Sequence, residues 1–185
     1  MKEDVIMRVI SGKYKGKKID GFDIEGTRPT QDRVKESLFG IIQNDLIDAV
    51  CLDLFAGSGN LGIEALSNGA SMCYFVDNNS KCIDIIKKNL NGIDNGSVLN
   101  LDYLKALDYF KNNSIKFDLI FLDPPYNLDC IDEIIDKILE YSLINQEGLI
   151  ICEYEYDNFK DNYNTLELIK DKKYGYKNIK IFRKN

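Results

Sequence analysis

The sequence predicts an α/β fold built on a doubly wound, mostly parallel sheet, and three observations predict it. Short, nearly continuous apolar runs recur along the chain, amphipathic stretches of helical period separate them, and a glycine-rich turn follows the first core run. Continuous apolar runs suit strands covered on both faces, and strand–helix alternation builds βαβ units. At 185 residues, with 44% hydrophobic and 29% charged side chains, the chain can bury one sizeable core without a disulfide or metal staple.

Residues 7–10 and 17–19 flank a Lys/Gly-rich turn and predict a small hairpin. Thr30 is the expected N-cap of a helix with Asp32 in its first turn and Val34, Leu38, Ile41 and Ile42 as its apolar face. Core strands are predicted at 51–55, 72–76, 97–101, 117–122 and 149–154. Between them, Ile83, Ile86 and Leu90 repeat at i, i+3, i+7, and Ile131, Ile134, Ile135, Ile138 and Leu139 fill a complete helical stripe. Runs at 165–169 and 176–182, joined by Asp-Lys-Lys-Tyr-Gly, predict a closing antiparallel hairpin. The outline is a basic N-terminal hairpin and helix over residues 1–44, appended to a core over 45–185, the whole forming one compact unit.

Composition narrows the chemistry. With no His in the chain, Ser-His-Asp hydrolysis, imidazole acid–base catalysis and His-ligated zinc are excluded. With no Trp, any stacking falls to Tyr and Phe. The five Cys (51, 73, 82, 130, 152) form no CxxC pair and read as buried thiols in a reducing cytoplasm. No apolar run approaches the roughly twenty residues needed to span a bilayer, and the start carries no export signal. The net charge of −6 is uneven: residues 1–19 carry +4, residues 170–185 carry +6, and the body between them carries −16. Two basic ends on an acidic body could grip a polyanion locally or be solvated lysines. No unexplained apolar stripe calls for an obligate dimer, so a monomer is expected.

The first core strand leads into Asp53-Leu-Phe-Ala-Gly57-Ser-Gly59-Asn-Leu-Gly62, and Asp77 ends the next strand twenty residues after Gly57. The spacing is that of a dinucleotide fingerprint. Its surroundings argue otherwise. Asp53, Asp77, Asp102 and Asp123 stand at four strand ends that border one crevice in an open α/β sheet. Such a ring is hostile to a pyrophosphate. It suits a ligand with a sulfonium, an ammonium group and ribose hydroxyls, as in S-adenosylmethionine.

The second signal is Asp123-Pro124-Pro125-Tyr126, right after a buried strand. Two consecutive prolines fix two φ angles and remove two donors, so with the carboxylate they form a rigid acceptor cluster. A nucleobase amino group is planar and a poor nucleophile. Acceptance of its hydrogens by Asp123 and the Pro124 carbonyl would aim its lone pair at a methyl donor, and Tyr126 would stack on the extruded base. The competing reading is a strand stopped by prolines with Tyr126 packed inside.

These motifs, with the opening Met-Arg-Val-Ile-Ser-Gly-Lys-Tyr-Lys-Gly-Lys-Lys-Ile and Thr27-Arg28-Pro29-Thr30-x-Asp32-Arg33-Val34-Lys35-Glu36, resemble the bacterial small-subunit ribosomal RNA guanine-N2 methyltransferases over nearly the whole chain from Met7. The resemblance implies a class I, Rossmann-like S-adenosylmethionine-dependent methyltransferase fold of seven strands with an antiparallel last strand. It implies a methyl transfer to the N2 amine of a guanine in 16S ribosomal RNA, the expected partner being that RNA within an assembling small ribosomal subunit. Asp53, Gly57 and Gly59 would serve the methionine end of the cofactor, Asp77 the ribose, and Asp102 with Tyr103 the adenine, with Phe55, Asn78 and Thr30 as further cofactor contacts. Asp123, Pro124, Pro125 and Tyr126 become the base clamp, and Arg28, Arg33, Lys13 and Lys15 contact RNA, although either arginine could instead hold the cofactor carboxylate. Ser11, Lys35, Asn68 and Tyr103 depart from the family pattern, and residues 1–6 read as an extension. Adenine-N6 methylation of DNA or RNA is the close alternative. A nicotinamide oxidoreductase fits the glycines but not the acidic crevice, and nothing favours a silent RNA-binding scaffold.

Overall fold

A computed structural model describes residues 7–21, 28–125, 128–157, 159–160, 162–175 and 177–185, with residues 28–31 described by backbone alone. β1 (Met7–Arg8) and β2 (Lys18–Ile19) form an antiparallel pair, followed by α1 (Arg28–Ile42). The alternating core then runs β3 (Val50–Asp53), α2 (Asn60–Ser67), β4 (Met72–Asp77), α3 (Ser80–Asn89), β5 (Gly96–Asn100), α4 (Tyr103–Asn112), β6 (Phe117–Leu122), α5 (Ile131–Glu140) and β7 (Ile144–Tyr154). The hairpin of β8 (Leu166–Tyr174) and β9 (Lys177–Lys184) closes the chain.

The seven-stranded sheet has the order β5-β4-β3-β6-β7-β9-β8. β3 to β7 are parallel, and β9 enters antiparallel between β7 and β8. The doubly wound sheet read from the sequence is therefore present. The hairpin forms one end of it, with the antiparallel strand one place in from the edge. The chain winds outward from β3 through β4 to β5, then returns to place β6 beside β3. That reversal opens a crevice at the carboxyl ends of β3 and β6, where open α/β sheets bind ligands.

Both faces of the central strands are covered, which is why those strands read as unbroken apolar runs. Cys51, Phe75, Leu119, Phe121, Ile151 and Ile181 face one layer, which includes Val34, Leu38 and Ile42 of α1 and Ile63 of α2. Leu52, Val76, Ile120, Leu122, Ile150 and Phe182 face the other, where Leu107 and Phe110 of α4 meet Ile131, Ile134, Ile135 and Ile138 of α5. All five cysteines are buried. No helix among the described residues is long and apolar enough to cross a membrane.

Four local expectations need correction. α1 starts at Arg28, so Thr30 lies inside its first turn and is not the N-cap, and Asp32 falls in the second turn. Pro29 is tolerated there because the first four N–H groups have no intrahelical partner. The apolar face of α1 is Val34, Leu38, Phe39 and Ile42, whereas Ile41 is 38% exposed. Lys35, on the buried side, explains the rotation: its ammonium is 2.9 Å from Glu64 of α2 and donates to Asn60 Oδ1 and the Arg8 carbonyl. Glu64 also accepts the N–H groups of Ile10 and Ser11, so one buried ion pair pins the N-terminal hairpin to the core. Finally, the Asp-Lys-Lys-Tyr stretch expected to be a connection is strand. Tyr174 pairs with Lys177 across Gly175, whose φ is 63°.

Candidate active site

The glycine turn leaves β3 at Asp53. Gly57 (φ 54°) and Gly59 (φ 79°) both take left-handed backbone, and Gly59 caps α2, conformations in which a side chain is strained. Gly62 has a different task. A Cβ there would stand 2.3 Å from Phe75 and 2.7 Å from the Cys73 sulfur, so its absence lets α2 press onto β4.

The acidic ring assembles as expected from the strand ends. Asp53 closes β3, is 2% exposed and accepts the Gly62 N–H at 3.0 Å. Burial pushes its carboxyl up to about 7, and the nearby Asp77 adds to the rise. Asp77 closes β4, accepting the N–H groups of Gly57 (3.0 Å) and Asn79 (2.8 Å), while Asn78 behind it is exposed. Asp102 follows β5 and caps α4 through the Leu104 N–H. Phe55 and Tyr103 come together as tilted rings with centroids 5.6 Å apart, and the Tyr103 hydroxyl donates to Glu133.

Asp123 follows β6 and is half-buried; Pro124 is buried and Pro125 exposed. The Pro125 carbonyl accepts the Leu128 N–H at 2.8 Å, which leaves the Asp123 carboxyl and the Pro124 carbonyl as acceptor candidates at this end of the crevice. Tyr126 lies outside the described residues. So do the side chains of Arg28 and Thr30. Arg33 is exposed on α1, one turn before Ser37, which bonds the Tyr174 hydroxyl at 2.6 Å.

Glu153, a residue of this site, escaped the sequence reading. Parallel pairing of Leu122 with Cys152 sets Glu153 alongside Asp123. The two carboxyl groups share a hydrogen bond, and Lys177, from the start of β9, forms an ion pair with Glu153. Burial first, then the Glu153 charge, pushes Asp123 up to about 8, against the opposing pull of Lys177. The signal was available: Glu153 is an acidic residue at the end of a buried strand, as Asp53, Asp77 and Asp123 are. Beyond it, Pro124, Pro125, Leu128, Glu153, Tyr154 and Tyr156 line an open cleft.

The structure does not bring Lys13 and Lys15 to this crevice. The hairpin runs along α2, with Ile10 and Ser11 on Glu64 and the Lys13 N–H on the Ser67 carbonyl. Their turn therefore sits at the far end of α2, roughly 12 Å of helix from the glycine loop. The basic C-terminal stretch is also partly spent internally. Lys177 pairs with Glu153, Lys180 with Asp157 and Asp171, and Arg183 with Asp45 and Glu147. Lys172 and Lys173 remain exposed beside α1 at the crevice end.

The arrangement fits a cationic, ribose-bearing methyl donor. Asp53 is a buried carboxyl whose ionisation a ligand cation would favour, and the space beside Gly57 is open to 4 Å. Comparison with known proteins agrees with this geometry. Residues 7–183 match the family described as Conserved hypothetical protein 95. The Ribosomal RNA small subunit methyltransferase D of Haemophilus influenzae is 34% identical over 184 residues, covering 96% of this chain and 93% of that protein. Its Escherichia coli namesake is 34% identical over 154 residues, covering 82% and 76%. A solved candidate methyltransferase from Escherichia coli superposes with a TM-score of 0.84 at 30% identity, covering 97% of this chain and 98% of that one. The chain belongs to the Conserved hypothetical protein 95 family, alongside these small-subunit ribosomal RNA methyltransferases.

Proposed function

We propose that this protein transfers a methyl group from S-adenosylmethionine to the N2 amine of a guanine in small-subunit ribosomal RNA. The observation that carries the reading is the meeting, at one switch point, of an acidic crevice with the fixed acceptors Asp123 and Pro124. The cofactor would supply an electrophilic methyl group on a sulfonium. Asp53 and the Gly57–Gly59 turn would hold its methionine end, Asp77 its ribose, and the Phe55–Tyr103 pair its adenine.

The protein's own contribution is positional. Acceptors that take the N2 hydrogens draw the amine out of conjugation and fix its direction, and water exclusion strengthens those bonds. The N–C bond forms as the C–S bond breaks, the electron pair stays on sulfur, and the amine proton passes to Asp123 in its carboxylate form. No nucleophilic side chain is needed, consistent with a chain that contains no His. Arg33, Lys172 and Lys173 form the basic rim that would hold RNA phosphates without reading sequence.

The test is methyl transfer from labelled S-adenosylmethionine to small-subunit particles and to naked 16S RNA, followed by digestion to nucleosides and mass spectrometry. N2-methylguanosine is expected. N6-methyladenosine would transfer the same chemistry to the other purine and refute the guanine assignment.

A further inference from the structure

The function proposed above uses Asp123 and Pro124 and leaves Glu153 without a task, yet Glu153 lines the cleft together with Pro124. Its side chain is 12% exposed and its Oε1 is tied to Lys177, itself 13% exposed. Its position is fixed twice: by the β6–β7 register that sets it beside Asp123 and by the β7–β9 register that pairs it with Ile179. Glu153 and Pro124 line the cleft and the β6–β7 register sets Asp123 next to Glu153, so two adjacent carboxyl groups and one backbone carbonyl meet at its edge, all of them acceptors once Asp123 is ionised. Lys177 offsets the repulsion between the two carboxyl groups.

Purine edges differ in what they present to such a wall. Guanine sets its N1–H beside the two hydrogens of N2, so adjacent positions both donate. Adenine sets an N1 lone pair beside its amine, and that lone pair would face a carboxylate. A partly buried acceptor left unpaired is costly, more so when charged. Sites built to bind a hydrogen-bonding group reject analogues that lack it by far more than apolar pockets do.

We propose that Glu153 determines base specificity: its carboxylate accepts the guanine N1–H while Asp123 and the Pro124 carbonyl accept the N2 hydrogens. The inference rests on the guanine-N2 reading, and its test separates the two. At the nucleotide located by the digestion experiment, guanine is replaced by 2,6-diaminopurine, which keeps the 2-amino group but has an unprotonated N1. Wild-type protein is expected to prefer guanine by at least about 100-fold in kcat/KM. In Glu153→Gln the ratio should fall below about tenfold, because the amide NH2 can donate to the unprotonated N1. Equilibrium binding of the two RNAs with S-adenosylhomocysteine present should shift in parallel, while S-adenosylhomocysteine affinity stays within about threefold. A purely structural role would instead lower both substrates equally and leave their ratio unchanged. A wild-type ratio below tenfold, or an unchanged ratio in Glu153→Gln, overturns the proposal while leaving guanine methylation standing. If Glu153→Gln does not fold, the wild-type ratio decides. Wild-type protein that leaves guanine N2 unmethylated sinks the functional reading, and this inference with it.

Discussion

Replacing Asp53 with Asn should flatten the pH dependence of stability, and the size of the effect can be worked out. In the native protein Asp53 holds its proton up to about pH 7 because burial disfavours the anion. In the unfolded chain the same carboxyl loses its proton near 3.8. Between those values the native state binds more protons than the unfolded state, so stability falls as pH rises. The slope approaches about 1.4 kcal/mol per pH unit and the total is about 4 kcal/mol, complete by pH 7 to 8. For a chain of this size each kcal/mol moves Tm by about 2–4 °C. Ligand-free wild-type protein should therefore lose about 3–6 °C per pH unit between pH 5 and 7 relative to Asp53→Asn. The Asn carbonyl can still accept the Gly62 N–H, and any cost of burying its NH2 is constant with pH. Scanning calorimetry from pH 5 to 8 reads the difference directly. S-adenosylmethionine affinity should rise over the same pH window in wild type, since its positive charge favours the anion, and should be weak and pH-independent in the variant. Parallel Tm profiles for the two proteins would refute the assignment of a buried, protonated Asp53.

Other outcomes follow from the same contacts. Asp123→Ala should lower kcat by about 10²–10³-fold, the usual cost of losing one preorganised partner, while calorimetric S-adenosylhomocysteine affinity changes less than threefold. Because Asp123 must be ionised to accept N–H hydrogens, kcat/KM should rise about tenfold per pH unit below about 8 and then level off. Asp123 faces Glu153, Lys177 and Asp53, so Lys177→Met should move that limb upward and Glu153→Gln should move it downward in rate profiles. Glu64→Ala leaves Lys35 charged and buried with two backbone donors unpaired, and should cost about 3–5 kcal/mol in denaturant unfolding. Reversing the charge of Lys172 and Lys173 should weaken RNA binding and lower its salt slope by about two in filter-binding titrations.

The parts legible in the sequence are those in which one residue's environment is set locally. Strands at 72–76 and 117–122 could be read because coverage of both faces writes a continuous apolar run. The carboxylates at their ends could be read because the switch point of such a sheet is a topological consequence. Where pairing decides, the sequence was mute. Lys35 looks like a surface lysine until Glu64 arrives from another helix. Glu153 meets Lys177 only because β9 inserts between β7 and β8. Residues 171–174 look like part of a turn because an edge strand, exposed along most of its length, has no apolar pattern to show, and lysines there guard the open edge. Phe39 takes the buried place expected of Ile41 because the helix face that packs inward also carries Lys35.

The five interior cysteines make the protein its own recorder of breathing. Burial pushes every one of these thiols upward, with Cys82 and Cys130 at about 11 and Cys51, Cys73 and Cys152 higher still. Thiolates are therefore scarce while the sheet stays closed, and oxidants or alkylating reagents must wait for it to open. The interval before each sulfur is trapped then becomes a clock for local unfolding, strand by strand, with no introduced probe.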